Sequence, residues 1–322
     1  MEILELSKDL HPPSCPFFGG FIRLNMAAVF FDSFYLSGWI KIQYYRFYHL
    51  ESTLITNQKE GGGMSEEMKK RVQSTFSKNK EAYVSSATHN NQQDLNLITE
   101  WLNPEPNWKG LDLATGGGHV AREMSRWMDH VVASDLTKDM LQNTARHLSD
   151  IKNLSYIVAD VSSLPFLDES FDVVCCRIAP HHFSDPEKFI KEAYRVLKPR
   201  GLFLMIDNTA PEDDHLDLFY NTFEEMRDPS HHRAWKVSEW KTMIQPAGFQ
   251  LKREMKRKKT LPFRDWLERT LHDKNSQQLV EEYFLKAGPQ ASSYFSFVLK
   301  EGSMESFSID EWMVLCQKHD TH

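Results

Sequence analysis

The stretch GLDLATGGGHVA, residues 110–121, constrains this chain more than any other part of it. Three consecutive glycines stand between a short apolar run (108–114) and a helix-like stretch (119–128). Glycine lets a backbone turn sharply and approach a ligand closely, and a helix starting just beyond it points free N–H groups outward. The pattern that follows is regular. Residues 131–134, 154–159, 171–178 and 201–207 read as strands two to five. Helical stretches around 138–148 and 186–197 alternate with them, the second with Phe189, Ile190, Ala193, Tyr194 and Leu197 on one face. Further on, 249 onward reads as a sixth strand and 311–317 as the last. This predicts an α/β fold, Rossmann-like and doubly wound: a mostly parallel seven-stranded sheet with helices on both faces.

Gly116-x-Gly118-x-x-Ala121 alone also fits a dinucleotide-binding turn. Asp112, just ahead of the glycines, points elsewhere, because a carboxylate there repels a pyrophosphate and suits an ammonium group. Asp135 follows the second strand, where a carboxylate takes both hydroxyls of a ribose. Asp160 follows the third, placed to accept from an adenine amino group. Each could simply cap the turn or helix behind it. Three in register, however, line the edge where open α/β sheets bind ligands.

With these motifs the chain resembles the class I S-adenosylmethionine-dependent methyltransferases, within the small-molecule group that includes quinone-biosynthesis enzymes. The resemblance is close over 78–212 and rests on Asp112-Leu-Ala-Thr-Gly-Gly-Gly118, Asp135, Asp160, SLPFLDESFDVV and RVLKPRGLFLMID. One departure is Ala114, where many members have glycine. The resemblance implies S-adenosyl-L-methionine as cofactor. Asp112, Ala114, Gly116 and Gly118 would hold its methionine part, Asp135 the ribose, and Asp160 with Val161 the adenine. Leu136 would pack on the adenine face, and Arg177 and Ile178 would lie near the methionine amino group. The segment EAYVSSATHNNQQDL, with Tyr83, Ser86, His89 and Asp94, would close over the cofactor, Tyr83 near its carboxylate.

Methyl transfer displaces an already activated leaving group, so the protein mainly aligns the partners and removes a proton. His181 and His182 follow strand four on the ligand-binding edge and are the candidate bases, against the reading that they cap or pack the turn. The spacing of Leu216, Phe219, Tyr220 and Phe223 predicts an amphipathic helix. In the run 227–233 behind it, Arg227 and Arg233 could pair with an anionic acceptor or with acids of their own loop. Ser238 is expected to cap a helix ending near Gln245, and 260–303 to form a mostly helical insertion.

The rest bounds the partners. With 322 residues and a formal net charge of −7 the chain does not point to nucleic acid. Its one basic run, 252–259, reads better as a lysine-protected edge strand than as an RNA contact. Four cysteines make no disulfide framework, a reducing cytoplasmic setting is expected, and no metal site is expected although His231 and His232 adjoin. Residues 1–63 differ from the rest, holding 12 of the 39 aromatic residues without helical or strand period. They fit neither a membrane span nor a signal peptide. Lys59-Glu60-Gly61-Gly62-Gly63 resembles a translated bacterial ribosome-binding site, so the functional chain is expected to begin at Met64, with an interfacial membrane anchor as the alternative. The expected organisation is an atypical, disordered extension (1–63) and a methyltransferase domain (64–322), with its cofactor core at about 103–207 and substrate-side insertions at about 208–236 and 260–303. The expected activity is methyl transfer to a small molecule. The alternatives are a NAD-type oxidoreductase and a non-catalytic S-adenosylmethionine-binding protein. The acceptor and the oligomeric state stay open.

Overall fold

The computed structural model describes residues 66–85 and 92–320. The expectations for the N-terminal extension, and those for Ser86 and His89, lie outside the described residues. Two helices, α1 (Glu66–Ser85) and α2 (Gln92–Leu102), precede the sheet. Then come β1 (Lys109–Leu113), α3 (His119–Ser125), β2 (His130–Asp135), α4 (Lys138–His147), β3 (Leu154–Val158), β4 (Phe171–Arg177), a single 3-10 turn (Pro180–His182), α5 (Pro186–Val196) and β5 (Leu197–Thr209). Beyond these lie α6 (Asp214–Arg227), α7 (Val237–Ile244), β6 (Phe249–Pro262), α8 (Phe263–Glu268), α9 (Lys274–Leu285), α10 (Pro289–Tyr294), β7 (Val298–Lys300) and β8 (Ser303–Lys318).

The strands line up as β3-β2-β1-β4-β5-β8-β6. Neighbours from β3 to β5 are parallel, and β8 runs antiparallel to both β5 and β6. Side chains alternate between faces, as strand geometry requires. Leu111, Val174, Cys176 and Phe203 face α5 and α7, with Phe189 and Trp240. Val131, Val173, Cys175 and Leu204 face α2 and α3, with Leu95 and Met124. Helices therefore cover both faces, and adjacent Cys175 and Cys176 are buried on opposite ones.

Three expectations need correction. The sheet has eight strands, because Glu301 (φ 52°) and Gly302 (φ 83°) turn the short β7 back onto β8 as a tight hairpin. The last strand starts at Ser303 rather than 311, since it pairs first with β7 and then along β6, from Pro262↔Ser306 to Phe249↔Lys318. The cap of α7 is Lys236, whose N–H donates to the Glu239 carboxylate (2.8 Å), while the Ser238 hydroxyl goes to Glu212 (2.6 Å). The insertion helices α8 and α9 close an aromatic cluster around Phe223, Phe263, Trp266, Phe284 and Phe307. The basic run on β6, the edge strand, is spent on acids. Lys256 and Lys258 pair with Asp310 (3.3 and 3.1 Å), Arg253 with Glu100 (3.2 Å), and Lys259 with Glu311 (3.2 Å). No described helix is long and apolar enough to cross a membrane.

Candidate active site

Strand order reverses between β1 and β4, and such a switch point opens a crevice at the C-terminal strand ends. A cavity lies there, walled by the ends of β1, β2 and β4 and by the turns that follow them. The glycine turn forms its floor. Gly118 (φ 76°) begins α3, and a Cβ there would stand 2.5 Å from Thr144 Cγ2 and 2.8 Å from Leu148 Cδ1. Packing, rather than ligand contact, demands this glycine. Gly116 (φ 51°) is the opposite case: a Cβ would meet nothing within 4 Å, because the turn faces the cavity.

Each expected acid is held by its own turn. Asp112 is 1% exposed; its Oδ2 accepts from the Thr115 hydroxyl (2.5 Å) and the Ala121 N–H (3.0 Å). Burial nonetheless lifts its pKa to about 7, against those bonds and Arg177. Asp135 accepts the N–H groups of Gly116 (3.1 Å) and Thr137 (2.8 Å), and burial pushes it upward too. Burial also acts upward on Asp160, but Ser162 N–H (2.9 Å), Ser162 Oγ (2.7 Å) and Lys69 Nζ (3.0 Å) outweigh it and hold the carboxyl below its usual value. All three line the cavity, as do Ala114, Leu136, Val161, Arg177 and Ile178. Arg177 ends β4 with its guanidinium 3.6 Å from Asp94 on α2, and Asp94 is held in turn by Arg257 from β6 (2.7 Å).

Helix α1 roofs the Asp160 side of the cavity with residues that the sequence reading missed. Lys69, Val72, Gln73 and Phe76 share one face by helical spacing. Val72 and Phe76 line the cavity, Lys69 reaches Asp160, and Gln73 donates to the Leu136 carbonyl (3.1 Å). That i, i+3, i+4, i+7 pattern was the available signal. Of Tyr83 the backbone, in α1, is described.

The two candidate bases occupy different places. His182 lines the cavity with Phe183; its Nδ1 donates to the Ser230 carbonyl (2.8 Å), which leaves Nε2 as the bare ring atom. Phe76 stands edge-on to this ring at 5.1 Å, and the His181 ring lies 4.2 Å away on another side. His181 sits behind, bonded through Nδ1 to Asp207 Oδ1 (2.7 Å). Burial, then the neighbouring His181, pushes the His182 pKa down to about 3. Burial pulls His181 down as well, but Asp207 outweighs it and the net shift is upward. His182 is thus neutral at pH 7.

The arginines expected near an acceptor are engaged inside the fold instead. Arg227 pairs with Glu224 (2.7 Å), donates to Thr270 (3.1 Å) and lies over the Trp266 ring. Arg233 pairs with Asp217 (2.9 Å) and Glu239 (3.2 Å). Neither lines the cavity. The acids of α6 and α7 claim them, a pairing invisible to spacing along the chain.

A methyltransferase domain family matches residues 111–205. Over 230 residues the chain is 33% identical to the uncharacterized methyltransferase YcgJ of Bacillus subtilis (strain 168), covering 70% of this chain and 90% of that protein. The chain belongs to the class I S-adenosylmethionine-dependent methyltransferases. A crystal structure described as a methyltransferase from Bacillus halodurans C-125 is 38% identical, with a TM-score of 0.69, over 70% of this chain and 99% of that one. The ubiquinone/menaquinone biosynthesis C-methyltransferase UbiE of Rickettsia typhi is 31% identical over 149 residues, which spans 60% of its length. For this methyltransferase the dinucleotide and sensor alternatives are not favoured.

Proposed function

We propose that residues 64–322 form the catalytic unit of an enzyme that transfers the methyl group of S-adenosylmethionine to a small-molecule acceptor. The observation that carries this reading is Asp112, a carboxylate that lines the cavity beneath the glycine turn and whose pKa burial lifts to about 7. A cationic ligand would favour its charged form, whereas a pyrophosphate would oppose it. The open space over Gly116 leaves room for the same ligand.

Asp112 would take the ammonium group and Arg177, across the same cavity end, the carboxylate, so that an α-amino acid meets charges of both signs. Asp135 would hold the ribose hydroxyls, with Leu136, Asp160 and Val161 around the adenine. Bound there, S-adenosylmethionine would supply a methyl group made electrophilic by its sulfonium. The chain aligns the acceptor against that methyl and excludes water with α1. His182 Nε2 accepts the acceptor's proton. A weak base serves for a hydroxyl acceptor, because its oxygen becomes strongly acidic as it gains a methyl group, so the proton leaves late. A neutral ring also avoids opposing the positive donor beside it.

Calorimetry with S-adenosylmethionine and NADH as separate ligands tests the cofactor half. Uptake of NADH but not of S-adenosylmethionine would overturn it. The acceptor is then sought by incubating the protein with methyl-labelled cofactor and a metabolite extract and identifying what becomes labelled.

A further inference from the structure

The reading above assigns no role to Asp207, one of the most expensive groups in the molecule. It lies near the end of β5 and is 1% exposed. Oδ1 accepts from His181 Nδ1 at 2.7 Å, and backbone N–H groups of His181 and Asn208 also point at the carboxylate. Oδ2 is buried with no hydrogen-bond partner among the described residues. A buried, half-satisfied carboxylate is strongly unfavourable, and such groups persist where function retains them.

We propose that Asp207 is the positioning residue of the acceptor-side base: it locks the His181 ring, and that ring clamps His182 against Phe76 with Nε2 left for the acceptor. This rests on His182 being the base proposed above. The geometry is a chain of single-valued contacts. A carboxylate can only accept, so His181 carries its proton on Nδ1. A carbonyl can only accept, so His182 carries its own on Nδ1 toward Ser230. The 3-10 turn is pinned from the other side, since the His181 carbonyl accepts the N–H groups of His232 and Arg233 (both 3.0 Å). Released from Asp207, His181 could rotate and His182 would lose the tilted ring packed 4.2 Å away.

Charge acts in the same direction. The groups that bear on His181 are Asp207 from β5, Glu224 from α6, and Asp228, His182 and His231. Those bearing on His182 are His181, His231, Asp228 and Arg227. Asp207 is the largest influence that favours a charged His181, and a charged His181 keeps its neighbour neutral.

The test is a histidine NMR titration of the full chain labelled with ¹⁵N-histidine, for the natural protein and for Asp207→Asn. In the natural protein His182 should hold the Nδ1–H tautomer, neutral, from pH 5 to 8. In Asp207→Asn the His181 midpoint should fall by about one pH unit or more and the His182 midpoint should rise, with its tautomers mixed. The affinity for S-adenosylhomocysteine by calorimetry should stay within about threefold, because Asp207 does not line the cavity. An unmoved His182 tautomer and midpoint in the variant overturns the proposal, as does a larger loss of affinity. Should Asp207→Asn not fold, the natural protein still decides: an Nε2–H tautomer at His182 is fatal to the inference and an Nδ1–H tautomer supports it. Failure of the natural protein to bind S-adenosylhomocysteine would instead count against the cofactor reading, and the NMR result stands apart from it.

Discussion

The two sides of the crevice are built on different length scales. On the side proposed for the cofactor, each acid is satisfied mainly within its own turn: Asp112 by Thr115 and Ala121, Asp160 by Ser162, Asp135 by Thr137. On the histidine side, the partners come from remote parts of the chain: Phe76, Asp207 and Ser230 converge on the turn at 180–182. On the first side burial pushes the Asp112 and Asp135 carboxyls upward, whereas on the second the buried Asp207 is bonded to a histidine. A site of the first kind should respond to substitution chiefly in binding, and one of the second chiefly in turnover.

The first half of that contrast is tested through binding. Asp112→Asn should weaken binding of S-adenosylmethionine about 100-fold, since it removes the charge that a buried cation needs. The pH dependence follows from the upward shift of this carboxyl. In the free protein it is protonated below about pH 7, so a cationic ligand must displace a proton. Affinity should therefore rise with pH until about 7 and level off, with proton release measurable in buffers of different ionisation enthalpy. The stability contribution has the matching sign. It is fully present below pH 3.8 and lost as pH rises through about 7, a span worth up to ~4 kcal/mol. Asp112→Asn should flatten that decline in thermal melts; an unaltered slope would show that the carboxyl is charged in the free protein.

The second half of the contrast predicts the reverse split. His182→Ala should lower methyl transfer about 100-fold or more, the usual scale for a proton-transfer group. Its dissociation constant for S-adenosylhomocysteine should move less than about threefold. Label transfer from methyl-labelled cofactor into a metabolite extract measures the first and calorimetry the second. Equal losses in both would erase the distinction between the two sides.

The same difference in scale explains what could be read from the sequence. Asp112, Asp135 and Asp160 were legible because strand period and the glycine turn fix where each falls. His182 was legible by position, but its separation from His181 was not. Which ring faces the cavity depends on Ser230 and Asp207, 48 and 26 residues away. Arg227 and Arg233 looked available because spacing along the chain does not reveal that Glu224, Asp217 and Glu239 fold back onto them. The end of β6 and the start of β8 were missed for a related reason. Their charged residues resemble loop or helix surface until the cross-strand pairs Arg257↔Glu311 and Lys258↔Asp310 are known.

A smaller effect is expected where a remote residue does enter the cofactor side. Lys69 crosses from α1 to Asp160 while remaining 25% exposed in its side chain. Solvent screening limits such a pair to roughly 1 kcal/mol or less. Lys69→Met should accordingly weaken cofactor binding about two- to fivefold by calorimetry, with Asp160 titrating at higher pH. A loss near that of Asp112→Asn would mean that closure of α1, rather than the acids of the strand ends, dominates binding.

The smallest effect concerns the two turns that flank the switch point. Ala114 follows β1 and Ile178 follows β4, and both adopt left-handed backbone, at φ 51° and 52°. These are equivalent positions: each is the first residue past its strand, and each lines the cavity. Left-handed backbone costs a residue with a Cβ about 1 kcal/mol, and a β-branched one more. Substituting glycine should therefore separate strain from packing. Ala114→Gly gives up one methyl group and should stabilise the free protein by about 0.5–1 kcal/mol, raising its melting temperature by about 2 °C. Ile178→Gly releases more strain but also strips an aliphatic wall from the cavity, worth roughly 2 kcal/mol of burial, so its gain should vanish or reverse. If Ala114→Gly instead destabilises, the extra freedom that glycine grants the unfolded chain outweighs the strain. The turn would then owe its shape to the Thr115 N–H bond to the Ser134 carbonyl (2.8 Å) and the Asp112 bonds around it rather than to the residue at 114.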